Sequence, residues 1–258
     1  MLISAIKTRP LLPPQDDLLQ VLSTSLPVLK EGDVVAVTSK VVAIWQGRCE
    51  RIPEKEEEKE ARKEFLIKRE ADLYLDKEAQ FPYSRMFTIY EGIFGSSSGI
   101  DESNGNGWFV LLPRNADAAA NEIHRHLCEQ YGLRNLGIVI TDSRSTVMRN
   151  GTTGIALGHA GFAAVYDYRG ESDIFGRKLR FERQNIADCI ASAAILAMGE
   201  GAESTPVAVF SDLVHIEWNG QETHDFMLEK SVPKDLDVYA QFISTKRWKE
   251  GNGGKHTV

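Results

Sequence analysis

The sequence predicts a globular chain that mixes strands with helices, on three observations. Apolar residues are 42% of 258 positions, enough for a sizeable core in one large domain or two small ones. Strand-like and helix-like patterns alternate: WFVLLP, then ADAAANEIHRHLCEQYG with Ile123, Leu127 and Tyr131 at i, i+4 and i+8, then GIVIT. Two strand-like runs also open into acidic, hydroxyl-bearing, glycine-flanked segments, GSSSGIDESNGNG from Gly95 and TDSRSTVMRNGTTG from Thr141. Loops at strand ends are where sites are built.

In chain order, a Pro-rich entry (Pro10, Pro13, Pro14) leads to DDLLQVLSTSL, a short helix closed by Pro27. Gly32 and Asp33 turn into VVAVTSKVVAIWQG, read as one bent strand or two short ones. Its central Thr38, Ser39 and Lys40 fit either an exposed edge or a functional insertion. Residues 53–78 are dense in charge and read as a solvated helical arm. A β-rich run, Met86 to Phe94, precedes the first acidic turn, and the apolar run ending at Thr141 precedes the second. Gly151, Gly154, Gly158 and Gly161 would let that second segment lie against phosphates. In FGRKLRFERQ, Arg177, Lys178, Arg180 and Arg183 favour a surface hairpin, with binding of an anionic substrate as the alternative. Asn185 caps a helix, IADCIASAAILAMGEG, whose alanines imply close packing and which Gly199 and Gly201 end. PVAVF is a further strand, and the polar tail, residues 246–258, is expected to fray.

A formal charge of −7 and a pI near 5.5 argue against a broad nucleic-acid surface. Cys49, Cys128 and Cys189 are scattered, odd in number and without a CxxC pair, which fits a reducing cytoplasm and no disulfide framework. MLISAI gives way at once to Lys7, Thr8, Arg9 and Pro10, so no secretory signal is expected. No apolar run approaches the roughly 18 to 20 residues that span a bilayer, so no membrane partner is expected. Walker, GxGxxG and GxSxG motifs are absent. His124, His126, His159, His215, His224 and His256 do not assemble and read as structural or surface residues.

What remains is oxygen chemistry. Asp101, Asp142 and Ser143, with a later Glu200 or Glu203, suit a hard divalent cation that bridges phosphates. The same aspartates equally suit turns and helix caps.

The segments VVAVTSKVVAIWQGR, GIDESN, ITDSRSTVMRNGTTGIALGHAGF, YDYRGESDIFGRKL and NIADCIASAAILAMGEGAESTPVAV together resemble the coenzyme F-420-0:L-glutamate ligase, or gamma-glutamyl ligase, family over nearly the whole chain. The resemblance implies an α+β, mixed-sheet, non-P-loop fold at residues 1–245, with two subdomains as one option, and an intertwined homodimer. It implies GTP- or ATP-dependent addition of L-glutamate, by an amide bond through an acyl phosphate, to a carboxylate of a deazaflavin precursor (coenzyme F-420-0). It further implies manganese or magnesium, as one ion or two, with potassium as an additional candidate. Carried over by motif, Asp101 and Asp142 become catalytic metal ligands, joined by Ser143 and Glu200. Arg9, Pro10, Leu11, Leu12, Ser39, Lys40, Asn104, Gly199, Glu200 and Gly201 become nucleotide contacts. Arg177, Lys178 and Arg180 become candidates for an anionic acceptor or glutamate.

Three departures stand out: Ala43 and Ile44 occupy positions where the family has Ser and a nucleotide-contacting Lys, and Glu200 occupies that of a metal-binding Gln. GNGWFVLLP and MGEGAEST resemble a divergent branch associated with folate metabolism, which makes a folate the second candidate acceptor. Two other classes stay open, a metal-dependent nucleotide phosphohydrolase and a non-catalytic nucleotide-binding protein of the same fold.

Overall fold

The computed structural model describes residues 1–77, 85–218, 230, 232, 235–244 and 247–255. His224, His256 and the far end of the charged arm at Glu78 lie outside the described residues. The strands are β1 (Leu2–Ile6), β2 (Val34–Thr38), β3 (Cys49–Arg51), β4 (Leu73–Tyr74), β5 (Phe87–Tyr90), β6 (Ile93–Ser96), β7 (Trp108–Val110), β8 (Gly137–Ser145), β9 (Thr152–Ala160), β10 (Val165–Asp167), β11 (Arg183–Asn185), β12 (Val207–Ser211) and β13 (Lys249–Glu250). The helices are α1 (Leu18–Ser25), α2 (Ser39–Trp45), α3 (Glu56–Glu70), α4 (Ala116–Tyr131), α5 (Ile186–Met198) and α6 (Ala240–Ser244). They form two compact units, one of Met1–Leu11, Asp17–Trp45 and Pro113–Lys230, the other of Leu12–Asp16, Gln46–Leu112 and Ser231–Val258.

The first unit is built on a five-stranded mixed sheet in the order β1-β12-β2-β8-β9. Only β2 and β8 run parallel, in register from Val34↔Gly137 to Thr38↔Thr141. Parallel neighbours need a long crossover; here α2, the central part of the second unit and α4 all fall within it in sequence. One sheet face buries Val34, Ala36, Val139, Ala208 and Phe210 with Ile190, Ala191 and Ala194 of α5. The expected cap is present: Asn185 accepts from the Asp188 N–H at 3.0 Å.

Two glycines of β9 explain how closely the helices approach. A Cβ on Gly154 would lie 2.3 Å from the Ala191 carbonyl oxygen in α5, and one on Gly158 would lie 2.3 Å from the Ala116 backbone at the start of α4. These glycines therefore serve helix packing on a strand rather than a phosphate loop, which corrects the sequence-based expectation. At the sheet edge, Asp188 accepts from the Ala156 N–H (2.8 Å), Asp117 accepts from the His159 N–H (3.0 Å), and Ser192 donates to the Gly154 carbonyl (3.0 Å).

Two further expectations are corrected. VVAVTSKVVAIWQG is strand then helix: β2 ends at Thr38 and α2 starts at Ser39, burying Val41, Val42, Ala43 and Ile44. Burial against the core outweighs the β-propensity of that run. The second acidic segment is no turn at Thr141, because β8 continues to Ser145, with Asp142, Ser143 and Arg144 paired to Ile155, Gly154 and Thr153 of β9.

The second unit holds the four-stranded sheet β13-β4-β5-β6 and the β3-β7 pair. Its core is Leu66, Ile67, Met86, Ile100, Phe109 and Leu111. The charged arm is helical over α3, with Glu56, Glu57 and Glu58 in its first turn and Lys68 and Arg69 in its last, which suits the helix dipole. At its last residue Glu70, 1% exposed, receives Arg48 at 2.6 Å and Arg69 at 2.7 Å. Part of the segment expected to fray is a strand: β13 pairs with β4, and the Gly251 N–H donates to the Asp72 carbonyl at 2.8 Å.

Candidate functional site

In the first unit, the carboxyl ends of the parallel strands β2 and β8 gather most of the sequence-derived candidates. Sites in open sheets with parallel strands commonly lie beyond such ends. Thr38 is the last residue of β2, paired with Thr141; one residue further on, Ser39 starts α2 and Asp142 continues β8. The buried Ser39 hydroxyl donates to Asp142 Oδ1 at 2.6 Å. A charge-assisted bond of that length fixes the carboxylate orientation. Lys40 follows in the first turn of α2.

Two further segments border these strand ends. The Thr8 N–H donates to the Ser204 carbonyl at 3.0 Å, and the Thr38 N–H donates to the Pro206 carbonyl at 2.9 Å. Arg9, whose Nη1 donates to the Pro10 carbonyl at 3.0 Å, thus follows directly on a residue tied to the segment after α5. Leu11 is buried, whereas Leu12 is exposed and belongs to the second unit.

After α5, Gly199 has φ +79°, and the Gly201 N–H donates to Glu203 Oε2 at 2.8 Å. Glu203 is thereby a loop organiser. Glu200 is exposed and accepts from the Thr152 hydroxyl at 3.3 Å, opposite Ser145 and three residues along β8 from Asp142. Asp142 and Ser143 are consecutive on a regular stretch of strand, so their side chains leave opposite sheet faces. The structure therefore brings Ser39 to Asp142, and does not bring the Ser143 hydroxyl to the face of the Asp142 carboxylate.

The GIDESN motif lies in the second unit. Asp101 pairs with Val110 through an isolated bridge, and its Oδ1 accepts from the N–H groups of Glu102 (2.6 Å) and Ser103 (2.9 Å). Its Oδ2 accepts from the Ser103 hydroxyl at 2.8 Å. Gly105 closes the turn where a Cβ would lie 2.2 Å from the Trp108 carbonyl, and Asn104 beside it is exposed with φ +55°. Glu102 is clamped by two lysines one turn apart on α3, Lys59 at 2.9 Å and Lys63 at 2.7 Å. Burial acts to raise the Glu102 pKa, but the two lysines outweigh it and hold the carboxyl below its usual range. No sequence signal pointed to these lysines, which sit in a charge run that reads as a solvated face.

Arg177, Lys178 and Arg180 lie on the exposed segment between β10 and β11, the surface hairpin favoured from sequence. Lys178 Nζ donates to the Gly170 carbonyl at 2.9 Å. Of the histidines, His126 meets the Ser23 hydroxyl at 2.8 Å and His159 lies 3.4 Å from Asp117 Oδ1. Among the described residues, no three of His, Cys, Asp and Glu group as a metal-binding cluster. No described helix is long and apolar enough to cross a membrane.

The family model F420-0:Gamma-glutamyl ligase matches residues 6–212 of the chain. The chain belongs to that family. It is similar to the Coenzyme F420:L-glutamate ligase of Methanopyrus kandleri, with 32% identity over 212 residues that cover 78% of this chain and 82% of that protein. The protein of the same name from Methanocaldococcus jannaschii is 31% identical over 219 residues, covering 82% of this chain and 86% of that protein. Its counterpart in Archaeoglobus fulgidus is 32% identical over 220 residues, covering 79% and 84%. In this gamma-glutamyl ligase chain, the matched span contains the Ser39–Asp142 pair, the GIDESN turn and the segment after α5.

Proposed function

We propose that the chain is a nucleotide-driven ligase that adds L-glutamate by an amide bond to a carboxylate of a cofactor, with coenzyme F-420-0 as the first acceptor and a folate as the second. Family membership across residues 6–212 carries this reading, and the relatives named for the F420 reaction put that acceptor first. The acceptor carboxylate attacks the terminal phosphate of GTP or ATP, and the glutamate amine then displaces phosphate from the acyl phosphate. Such a sequence asks the protein mainly to align three reactants and exclude water.

The donor chemistry at Asp142 fits a hard cation, since its carboxylate and the Ser39 hydroxyl bonded to it are both oxygen ligands. Magnesium commonly takes one or two protein carboxylates and completes its shell with phosphate oxygens and water. Asp142 would hold such an ion in the first unit and Asp101 one in the second, with Glu200 as the further carboxylate of the family pattern. A bound magnesium or manganese would neutralise charge on the phosphoryl oxygens. Ser39 orients Asp142, while the Ser103 hydroxyl and two backbone N–H groups orient Asp101. Arg9, Lys40 and Asn104 are proposed nucleotide contacts.

A homodimer is the proposed assembly, supported by exposed apolar side chains on the hairpin: Ile174, Phe175 and Phe181 are 91%, 89% and 83% exposed. Light scattering on the purified chain measures its mass directly. Activity is tested by incubating the protein with GTP or ATP, magnesium or manganese, labelled glutamate, and F-420-0 or tetrahydrofolate in parallel. Phosphate release that requires both acceptor and glutamate supports ligation. Release that needs neither assigns a phosphohydrolase, and binding without turnover assigns a nucleotide-binding protein.

A further inference from the structure

Beyond the bulge between Ile140 and Thr141, β8 pairs regularly with β9, so Asp142 and Arg144 present their side chains on one sheet face, roughly 7 Å apart along the strand. Arg144 Nε is buried and has no hydrogen-bond partner among the described residues. A guanidinium remains charged at any working pH and carries five donors in a planar fork. Arg144 as a whole is half-buried, so the cost falls on this one desolvated N–H, which lacks the acceptor that buried donors ordinarily have.

Asp188 does not supply the missing partner. Its Oδ1 accepts from the Ala156 N–H at 2.8 Å and its Oδ2 from Asn185 Nδ2 at 3.0 Å. Burial raises the Asp188 pKa, and the Arg144 charge opposes that shift without reversing it, unlike a direct ion pair. Arg144 thus carries, two residues beyond Asp142, a buried Nε–H for which the described residues provide no acceptor.

We infer that Arg144 is a substrate-binding residue, taking an anionic oxygen fork of a carboxylate or phosphate group beside Asp142. This rests on the reading that Asp142 faces the reactants. Arginine suits the role because its parallel N–H groups meet two oxygens of one anion at once, which lysine does not do. In a ligation the fork has two sources, a carboxylate of glutamate or the acceptor, and a nucleotide phosphate.

The test compares wild type with Arg144→Gln and Arg144→Lys by calorimetric titration of L-glutamate, GTP with magnesium, inorganic phosphate and the acceptor, each separately. The expected result is at least tenfold weaker binding of one anionic class by Arg144→Gln, with partial recovery in Arg144→Lys and an unchanged far-UV spectrum. Loss confined to glutamate or the acceptor assigns a carboxylate; loss for GTP and inorganic phosphate assigns a phosphate. Should Arg144→Gln misfold, Arg144→Lys keeps the charge, and its loss of the two-point contact still weakens binding. Wild-type affinity for every probe in a folded variant overturns the assignment, as does a wild-type protein that binds none of them. Binding is read without turnover, so a protein that binds through Arg144 but does not ligate refutes the ligase reading and leaves this assignment standing.

Discussion

The Ser39 hydroxyl bonds Asp142 Oδ1 at 2.6 Å across the ends of two parallel strands, joining residues 103 positions apart in sequence. Ser39→Ala frees the carboxylate to rotate. Since small misplacements in an active site cost up to about 100-fold, kcat should fall about 10- to 100-fold. Loss of a buried bond to a charged group should also cost about 1–3 kcal/mol. Steady-state kinetics beside urea melts check both, and an unchanged kcat would remove Ser39 from the site.

The lysine pair on α3 should act through Glu102 on the turn that carries Asp101. Replacing Lys59 and Lys63 together by Met is expected to lower kcat/KM about tenfold, on the scale of a displaced reacting group. Stability should change little, because these ion pairs are partly solvated. The double Arg variant should retain most activity. Equal losses in the Met and Arg variants would count against a charge-clamp role.

Glu70 is a different kind of pair, 1% exposed and held by both Arg48 and Arg69. Glu70→Gln removes the negative charge while leaving Arg48 inside. Breaking a buried pair from one side costs about 3–5 kcal/mol. Urea denaturation should show a loss of that order, and a loss under about 1 kcal/mol would show that Arg48 finds water or another partner.

Asp117 gives a pH signature. Burial acts to raise its pKa, but the nearby His159 ring, the Lys230 ammonium and the His159 backbone N–H pull it down to about 2. A depressed carboxyl contributes stability that is fully present above its unfolded value of about 3.9 and is lost as pH falls toward about 2. Asp117→Asn should therefore cost about 1 kcal/mol at pH 6, a figure discounted for its 43% side-chain exposure. That difference should shrink between pH 4 and pH 2, and a pH-independent difference would rule out the charge as its source.

Much of the fold is legible in the sequence. The apolar spacing of Ile123 and Leu127 marks α4, and Asn185 with Gly199 brackets α5, because caps and periodicity are local signals. α2 is hidden because Val41, Val42 and Ile44 look like strand and are helical only through burial against the core. The far half of β8 is hidden because its polar residues owe their extended form to β9 rather than to an apolar pattern. Asp101 and Asp142 can be found from their motifs. Lys59, Lys63 and Arg144 cannot, since their meaning depends on neighbours in space or on a missing partner.

Because Asp188, Asp117 and Ser192 occupy backbone groups on the outer side of β9, that margin of the sheet has little left to offer an incoming chain. Misassembly by strand addition is thereby discouraged at β9, and among the described strands β1, with Leu2 61% exposed, is the other margin of the sheet. The carboxylates at the starts of two helices thus act as stoppers against aggregation.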